Sequence, residues 1–235
     1  MRFLFSLYLL LAPLTFIIGQ ETPKSQLFTP SIRPSLYIDV FAGPSFRLNP
    51  GQDKFSVGYQ PHVLSLGKAF QKGASISYKI HRHIFVSLSF NQSSKTSTST
   101  INLGRAENPT YVQLDSEMQY QMAFFELGYN LLSRNNNNSL IPSVGYGISQ
   151  FIYTETYDTM DEVRIKGASN PIQLKLTSRN RIYKKLFAIG SITYVNALYD
   201  GTDKEDSQQL RPNYNEDDSH QVNHFNLNVG LSYTF

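Results

Sequence analysis

Residues 225–235 read Phe-Asn-Leu-Asn-Val-Gly-Leu-Ser-Tyr-Thr-Phe. Phe225, Leu227, Val229, Leu231, Tyr233 and Phe235 share one side of an extended chain, and Asn226, Asn228, Gly230, Ser232 and Thr234 share the other. Successive side chains of a strand point to opposite faces, and no apolar side chain interrupts the polar face here. The stretch reads as a strand that separates two unlike environments.

Working back from it, the same alternation recurs. Leu36, Ile38, Val40 and Ala42 alternate with Tyr37, Asp39, Phe41 and Gly43. Ala74, Ile76, Tyr78 and Ile80 oppose Ser75, Ser77 and Lys79; Ile84, Val86, Leu88 and Phe90 oppose Phe85, Ser87, Ser89 and Asn91. Ala123, Phe125, Leu127, Tyr129 and Leu131 oppose Met122, Phe124, Glu126 and Gly128. Val144, Tyr146 and Ile148 oppose Ser143, Gly145, Gly147 and Ser149, while Ile172, Leu174 and Leu176 oppose Gln173, Lys175 and Thr177. The segment Leu186 to Leu198 is apolar on both faces, so its pattern gives no facing. These are eight strands, each expected near the ~9–11 residues that cross a bilayer at a tilt.

The connections alternate in length. His81-Arg82-His83, the stretch 133–139 with its four Asn, and 180–185 are short and polar. Between them lie the longer segments 47–72, 92–112, 154–169 and 199–222. Tight turns at one end and long loops at the other are the plan of an up-and-down outer-membrane barrel. A long loop after the first strand then puts both termini on the periplasmic side.

The amino terminus reads as an address. Met1-Arg2 precedes an apolar run from Phe3 to Ile18, and polar residues begin at Gln20. This is the pattern of a cleaved secretory signal over 1–19, and the run is shorter than the ~20 residues of a spanning helix. Residues 20–34, with Pro23, Pro30 and Pro34, read as an extended periplasmic leader before a barrel over 35–235.

Composition closes off several classes. The 235 residues contain no Cys, which excludes disulfide scaffolds, Cys-ligated metal sites, Cys nucleophiles and cysteine lipid anchors. A formal net charge of +3 is too small to argue for nucleic acid. With 15 Tyr and 16 Phe the chain has ample apolar area to fold.

An apolar face suits either the inside of a soluble barrel or the outside of a membrane barrel. A soluble eight-stranded core filled with Ser, Gly and Asn would be underpacked, and this selects the membrane barrel. The run Phe225-x-Leu227-x-Val229-x-Leu231-x-Tyr233-x-Phe235, with its terminal Phe, resembles the C-terminal assembly signature of Gram-negative outer-membrane barrels. Over roughly 35–235 the chain resembles the small eight-stranded outer-membrane β-barrel proteins, OmpX-like and of the porin-family or PorT type. The resemblance implies an outer-membrane location and folding by the barrel assembly machinery. It also implies contact with membrane lipid and lipopolysaccharide, and association of PorT-type relatives with protein secretion. The chain lacks Trp, so Tyr129, Tyr146, Tyr194 and Tyr233 are the candidates for the aromatic girdle.

Asp39, Lys79, Glu126 and Lys175 fall on polar faces near the periplasmic strand ends and are expected to form a charged cluster in the lower lumen. An eight-stranded barrel is only wide enough for side chains, so such charges plug it and need partners; a proton or ion path is the alternative. The last long loop holds Asp200, Asp203, Glu205, Asp206, Glu216, Asp217 and Asp218 against Lys204 and Arg211. It reads as a solvated acidic loop, or as oxygens bridged by a divalent cation to lipopolysaccharide, although the spacing is not that of a Ca²⁺ loop. Ser93–Thr100 is hydroxyl-rich and reads as a flexible or glycosylated surface segment, and Asp158-Thr159-Met160 resembles a short bacterial O-glycosylation motif.

Five histidines, His62, His81, His83, His220 and His224, are the catalytic candidates. Some small outer-membrane barrels are lipid A deacylases, but a Ser/His pair needs an orienting acid in reach. Ser219-His220 beside Asp217 and Asp218 does not satisfy this, because neighbours on a strand point apart. No catalytic residue, metal site or cofactor is expected. The expected role is structural or interactive, with a further envelope or surface protein as a possible partner. A narrow solute pore, a lipid-modifying enzyme and a soluble ligand-binding barrel are the alternatives.

Overall fold

The computed structural model describes residues 35–48, 66–81, 83–102, 108, 110–132, 137–157, 160–205 and 220–235. The expected signal and leader, 1–34, lie outside these. Among the described residues, nine strands form: β1 (Ser35–Arg47), β2 (Lys68–Lys79), β3 (Ile84–Asn102), β4 (Tyr111–Tyr129), β5 (Asn138–Tyr157), β6 (Met160–Ser169), β7 (Ile172–Tyr183), β8 (Leu186–Glu205) and β9 (His220–Thr234). Each pairs antiparallel with its neighbours, and β9 pairs with β1 to close the ring.

β6 and β7 are two parts of one stave. β6 pairs with the upper part of β5 and the end of β8, and β7 pairs with the lower parts of the same two strands. The break falls at Asn170-Pro171, where proline has no N–H to give to a ladder. The Gly147 N–H still donates to the Pro171 carbonyl at 3.1 Å. The architecture is therefore an eight-staved, all-β, antiparallel up-and-down transmembrane barrel, as the alternation predicts.

The ladders also fix the stagger. Followed once round the ring from Ser35, the register runs through Lys79, Phe85, Gly128, Ser143, Lys175, Thr193 and Asn226. It returns to β1 at Ser45, ten residues above its start. Such a shear tilts the strands and leaves an interior that side chains can fill. Closure is tight at Gly43, where a Cβ would collide with the Leu227 carbonyl oxygen. The β1–β9 register skips Gly43 and Pro44, and proline again offers no donor.

Facing follows the alternation. Val229 is 66% exposed and Ile148 68%, whereas Asn226, Gln173 and Ser232 are buried inside the ring. β8, which the sequence left without a facing, turns Phe187, Ile189, Ser191, Thr193, Val195, Ala197 and Tyr199 inward. Tyr129, Tyr146 and Tyr233 face outward and are exposed, and Tyr194 is half-buried on the same surface. In water this outward apolar band would forfeit ~25 cal/mol for each Å² left unburied. In lipid it carries no such penalty.

Two expectations need correcting. The strands are longer than expected, up to 20 residues in β5 and β8. Segments 92–112 and 154–169 are also not loops throughout. β3 and β4 stay paired from Ile84↔Tyr129 to Asn102↔Tyr111, so Ser93–Thr100 is ladder rather than flexible chain. Thr96, Thr98 and Thr100 are β-branched and suit a pleated surface, and hydroxyl side chains do not break a strand whose backbone is paired on one side. β5 and β6 likewise form a hairpin across 154–169. Asp158-Thr159 lies outside the described residues.

Val229 sits at the centre of the outward series from Phe225 to Phe235, which makes it a probe of what surrounds the barrel. Val229→Arg is expected to destabilise the protein in lipid vesicles by ~2–4 kcal/mol relative to Val229→Leu, measured by reversible urea unfolding. An equal stability of the two variants would contradict a lipid-facing position.

Candidate functional site in the lumen

Asp39 on β1 lies directly across from Ser75 on β2, and the Ser75 hydroxyl donates to its Oδ2 at 3.0 Å. From the far side of the ring Arg179 on β7 reaches the same carboxylate, with Nη2 donating to Oδ1 at 3.1 Å and to Oδ2 at 2.8 Å. Both side chains are almost fully buried. The guanidinium also lies 4.3 Å from the Tyr37 ring centroid and 5.8 Å from that of Phe85, so two aromatic faces share the positive charge.

Glu126 on β4 forms the second pair. Lys175 Nζ lies 3.3 Å from both carboxylate oxygens, Ser89 donates to Oε1 at 2.5 Å and Ser143 reaches Oε2 at 3.4 Å. Glu126 stands opposite Gly145 on β5, where an added Cβ would come within 3.1 Å of the Glu126 Cγ. The missing side chain gives the carboxylate its room. Lys175 Nζ is also 5.4 Å from the Phe41 ring centroid.

Asp39, Glu126, Lys175 and Arg179 together line a cavity of about 20 Å³, with Ser77, Ser87 and Thr177 in its wall. That is room for about one water molecule. Two acids face two bases, so the cluster is neutral, as a charge group buried in a narrow lumen must be to avoid a large desolvation penalty.

Lys79 does not line this cavity. The register sets it opposite Ser35 at the turn end of the barrel, four residues below the Ser75 that faces Asp39, and it is half-buried. The base beside Asp39 is Arg179, which the expected cluster of Asp39, Lys79, Glu126 and Lys175 does not include. The sixth alternating segment of the sequence ends at Thr177, one inward position short of Arg179. Its parity with Gln173, Lys175 and Thr177 was the available signal.

Above the charges an apolar cluster joins the polar side chains of the lumen. Met118, Tyr120, Met122 and Phe124 from β4 pack with Val195, Ala197 and Tyr199 from β8, with Leu66 and with Val222. Phe151 stacks on Tyr120 at 5.0 Å between centroids, and His224 meets Tyr120 edge-on at 4.5 Å. Ser149 and Tyr199 share a hydrogen bond of 2.7 Å. The inward face is therefore less uniformly polar than the alternation suggests: ion pairs fill the lower half, and aromatic side chains mix with polar ones in the upper.

The remaining candidates are scattered. His81 and His83 lie 6.3 Å apart at the first short turn, and His83 stacks on Tyr129. His224 is inside the lumen. His62, Ser219, Asp206, Arg211, Glu216, Asp217 and Asp218 lie outside the described residues. Asp200, Asp203, Lys204 and Glu205 belong to the backbone of β8, and His220 opens β9.

No protein-family model matches the chain, and neither does any curated protein. Solved structures do. One is Ail, the attachment invasion locus protein of Yersinia pestis, in complex with the heparin analogue sucrose octasulfate. It is 12% identical, with 87% of this chain and 100% of that one covered and a TM-score of 0.50. Another is a major outer membrane protein from Thermus thermophilus, 12% identical over 86% of this chain and 100% of that one, also with a TM-score of 0.50. The chain thus has the fold of the small outer-membrane β-barrels.

The Asp39–Arg179 pair can be tested by removing its halves in turn. Arg179→Met strands a buried carboxylate and is expected to lower the unfolding free energy in lipid vesicles by ~3–5 kcal/mol. Adding Asp39→Asn should recover most of that loss. Two additive losses would mean that the residues do not act as a pair.

Proposed function

We propose that this protein is an outer-membrane barrel with a side-chain-filled lumen and a structural or surface-interaction role. The observation that supports it best is the division between faces: an exposed apolar band outside, and paired charges with packed aromatics inside. A barrel that occupies its own bore with neutral ion pairs is built to stand in a membrane rather than to conduct. In this reading residues 1–19 are a cleaved signal, 20–34 a periplasmic leader and 35–235 the barrel. Both termini and the short turns are periplasmic, and the long connections face outward. The protein is read as non-enzymatic, with assembly by the barrel machinery. Its partners are outer-membrane lipid and lipopolysaccharide, with a further envelope or surface protein as a possible one.

A narrow pore is the second reading, favoured by the small cavity beside the ion pairs. Planar-bilayer recording separates the two. A filled lumen is expected to give no unitary conductance, and stepwise currents would support the pore.

The membrane assignment is tested on a washed outer-membrane fraction, run boiled and unboiled in mild SDS. A shift in mobility on boiling is expected of a closed barrel. Recovery in the soluble fraction without a shift would overturn the reading.

A further inference from the structure

Lys68, Phe70 and Lys72 occupy successive outward positions on β2, and all three are exposed. Lys72 stands opposite Gln92 on β3, Gln92 opposite Gln121 on β4, and Gln121 opposite Gln150 on β5. All four share the outward face, so they form one polar row across four staves, with neighbours ~4.8 Å apart. Just below it on the same staves lie Ala74, Phe90, Ala123 and Ile148 of the apolar band, while Phe70 stands above Lys72 between the two lysines. Because the ladders climb ten residues per circuit, the row slants upward from Lys72 to Gln150 and crosses the upper part of the apolar band toward the headgroups, on the side of the barrel away from the short turns.

A row of this kind needs polar partners, because hydrocarbon supplies none. A lysine rooted in apolar surroundings lays its stem along them and lifts its ammonium to headgroup level. Carboxamides offer donors and acceptors together. Among the described residues, those across from Lys68 and Lys72 on β1 are Phe46 and Ala42, neither of them an acid. On β4, Glu117 and Asp115 face outward four and six residues beyond Gln121. Two cations and three carboxamides spread over four strands are wider than one phosphate and suit a phosphorylated sugar.

We propose that Lys68, Lys72 and the Gln92–Gln121–Gln150 row bind the phosphorylated sugar headgroup of an outer-leaflet glycolipid. The lysines hold phosphate, the glutamines hydrogen-bond the sugar, and the acyl chains lie along the apolar band beneath. The proposal rests on the orientation given under the proposed function, with the long connections outward.

The test uses the full chain, purified from membranes in detergent, and native mass spectrometry against three probes: bisphosphorylated lipid A, dephosphorylated lipid A and phosphatidylglycerol. A lysine near an anionic surface is worth ~1 kcal/mol, or about fivefold in affinity, so the K68Q/K72Q double variant should bind bisphosphorylated lipid A roughly 30-fold more weakly. Wild-type protein should bind dephosphorylated lipid A as weakly as the variant binds the intact lipid. Equal binding by variant and wild type, or equal binding of phosphatidylglycerol and lipid A by wild type, would overturn the proposal. Both proteins are also run unboiled in SDS. A heat-modifiable barrel without phosphate dependence sinks this inference alone, whereas a wild type with no shift sinks the membrane reading beneath it.

Discussion

Everything in this structure depends on the pairing of backbone N–H and C=O groups in a medium that offers them no other partner. A strand that crosses hydrocarbon must spend every donor and acceptor on its neighbours, and a row of strands can do so only if its two edges meet. β9 against β1 is that meeting. It explains local features that would otherwise look accidental. Gly43 lies where the Leu227 carbonyl comes too close for a side chain. The prolines at 44 and 171 fall where the ladders are interrupted. The ten-residue stagger is the offset at which eight tilted staves close on themselves.

Once the ring is closed, its inside must be filled. Eight staves enclose a bore no wider than opposing side chains, and the lower half of this one is filled with charge. Asp39–Arg179 and Glu126–Lys175 each join strands far apart in sequence. Ser75, opposite Asp39, and Ser89, one inward position along β3 from the residue opposite Glu126, supply the additional hydrogen bonds that make a buried ion pair tolerable. The upper half is filled with Tyr120, Phe151, Tyr199 and His224, on staves that continue past the apolar band. Outside, the slanting Lys72–Gln150 row brings polar side chains into the upper part of the apolar surface, so both surfaces of the wall change character along the barrel.

Much of this could be read directly from the chain. Period-two alternation is a property of each strand taken singly, so the facing of Leu36, Leu88, Phe125 or Leu231 needed no knowledge of neighbours. Asp39, Glu126 and Lys175 could be set inside by parity alone. Where structure and alternation differ, the reason is local. The low-complexity composition of Ser93–Thr100 points to loose surface, although its backbone pairs with β4 along its length. Leu186–Leu198 gave no facing because Phe187, Ile189 and Val195 are apolar residues turned into the lumen.

The sequence by itself determined the alternating strands and their two unlike faces, and hence the barrel. Only the tertiary structure decided the register between staves, and with it which charges meet. Arg179 rather than Lys79 faces Asp39, and Lys72 heads a row of glutamines from three other strands. The physical reason is that alternation is written in the spacing of neighbouring residues, whereas register is set by ring closure, a condition on all eight staves at once.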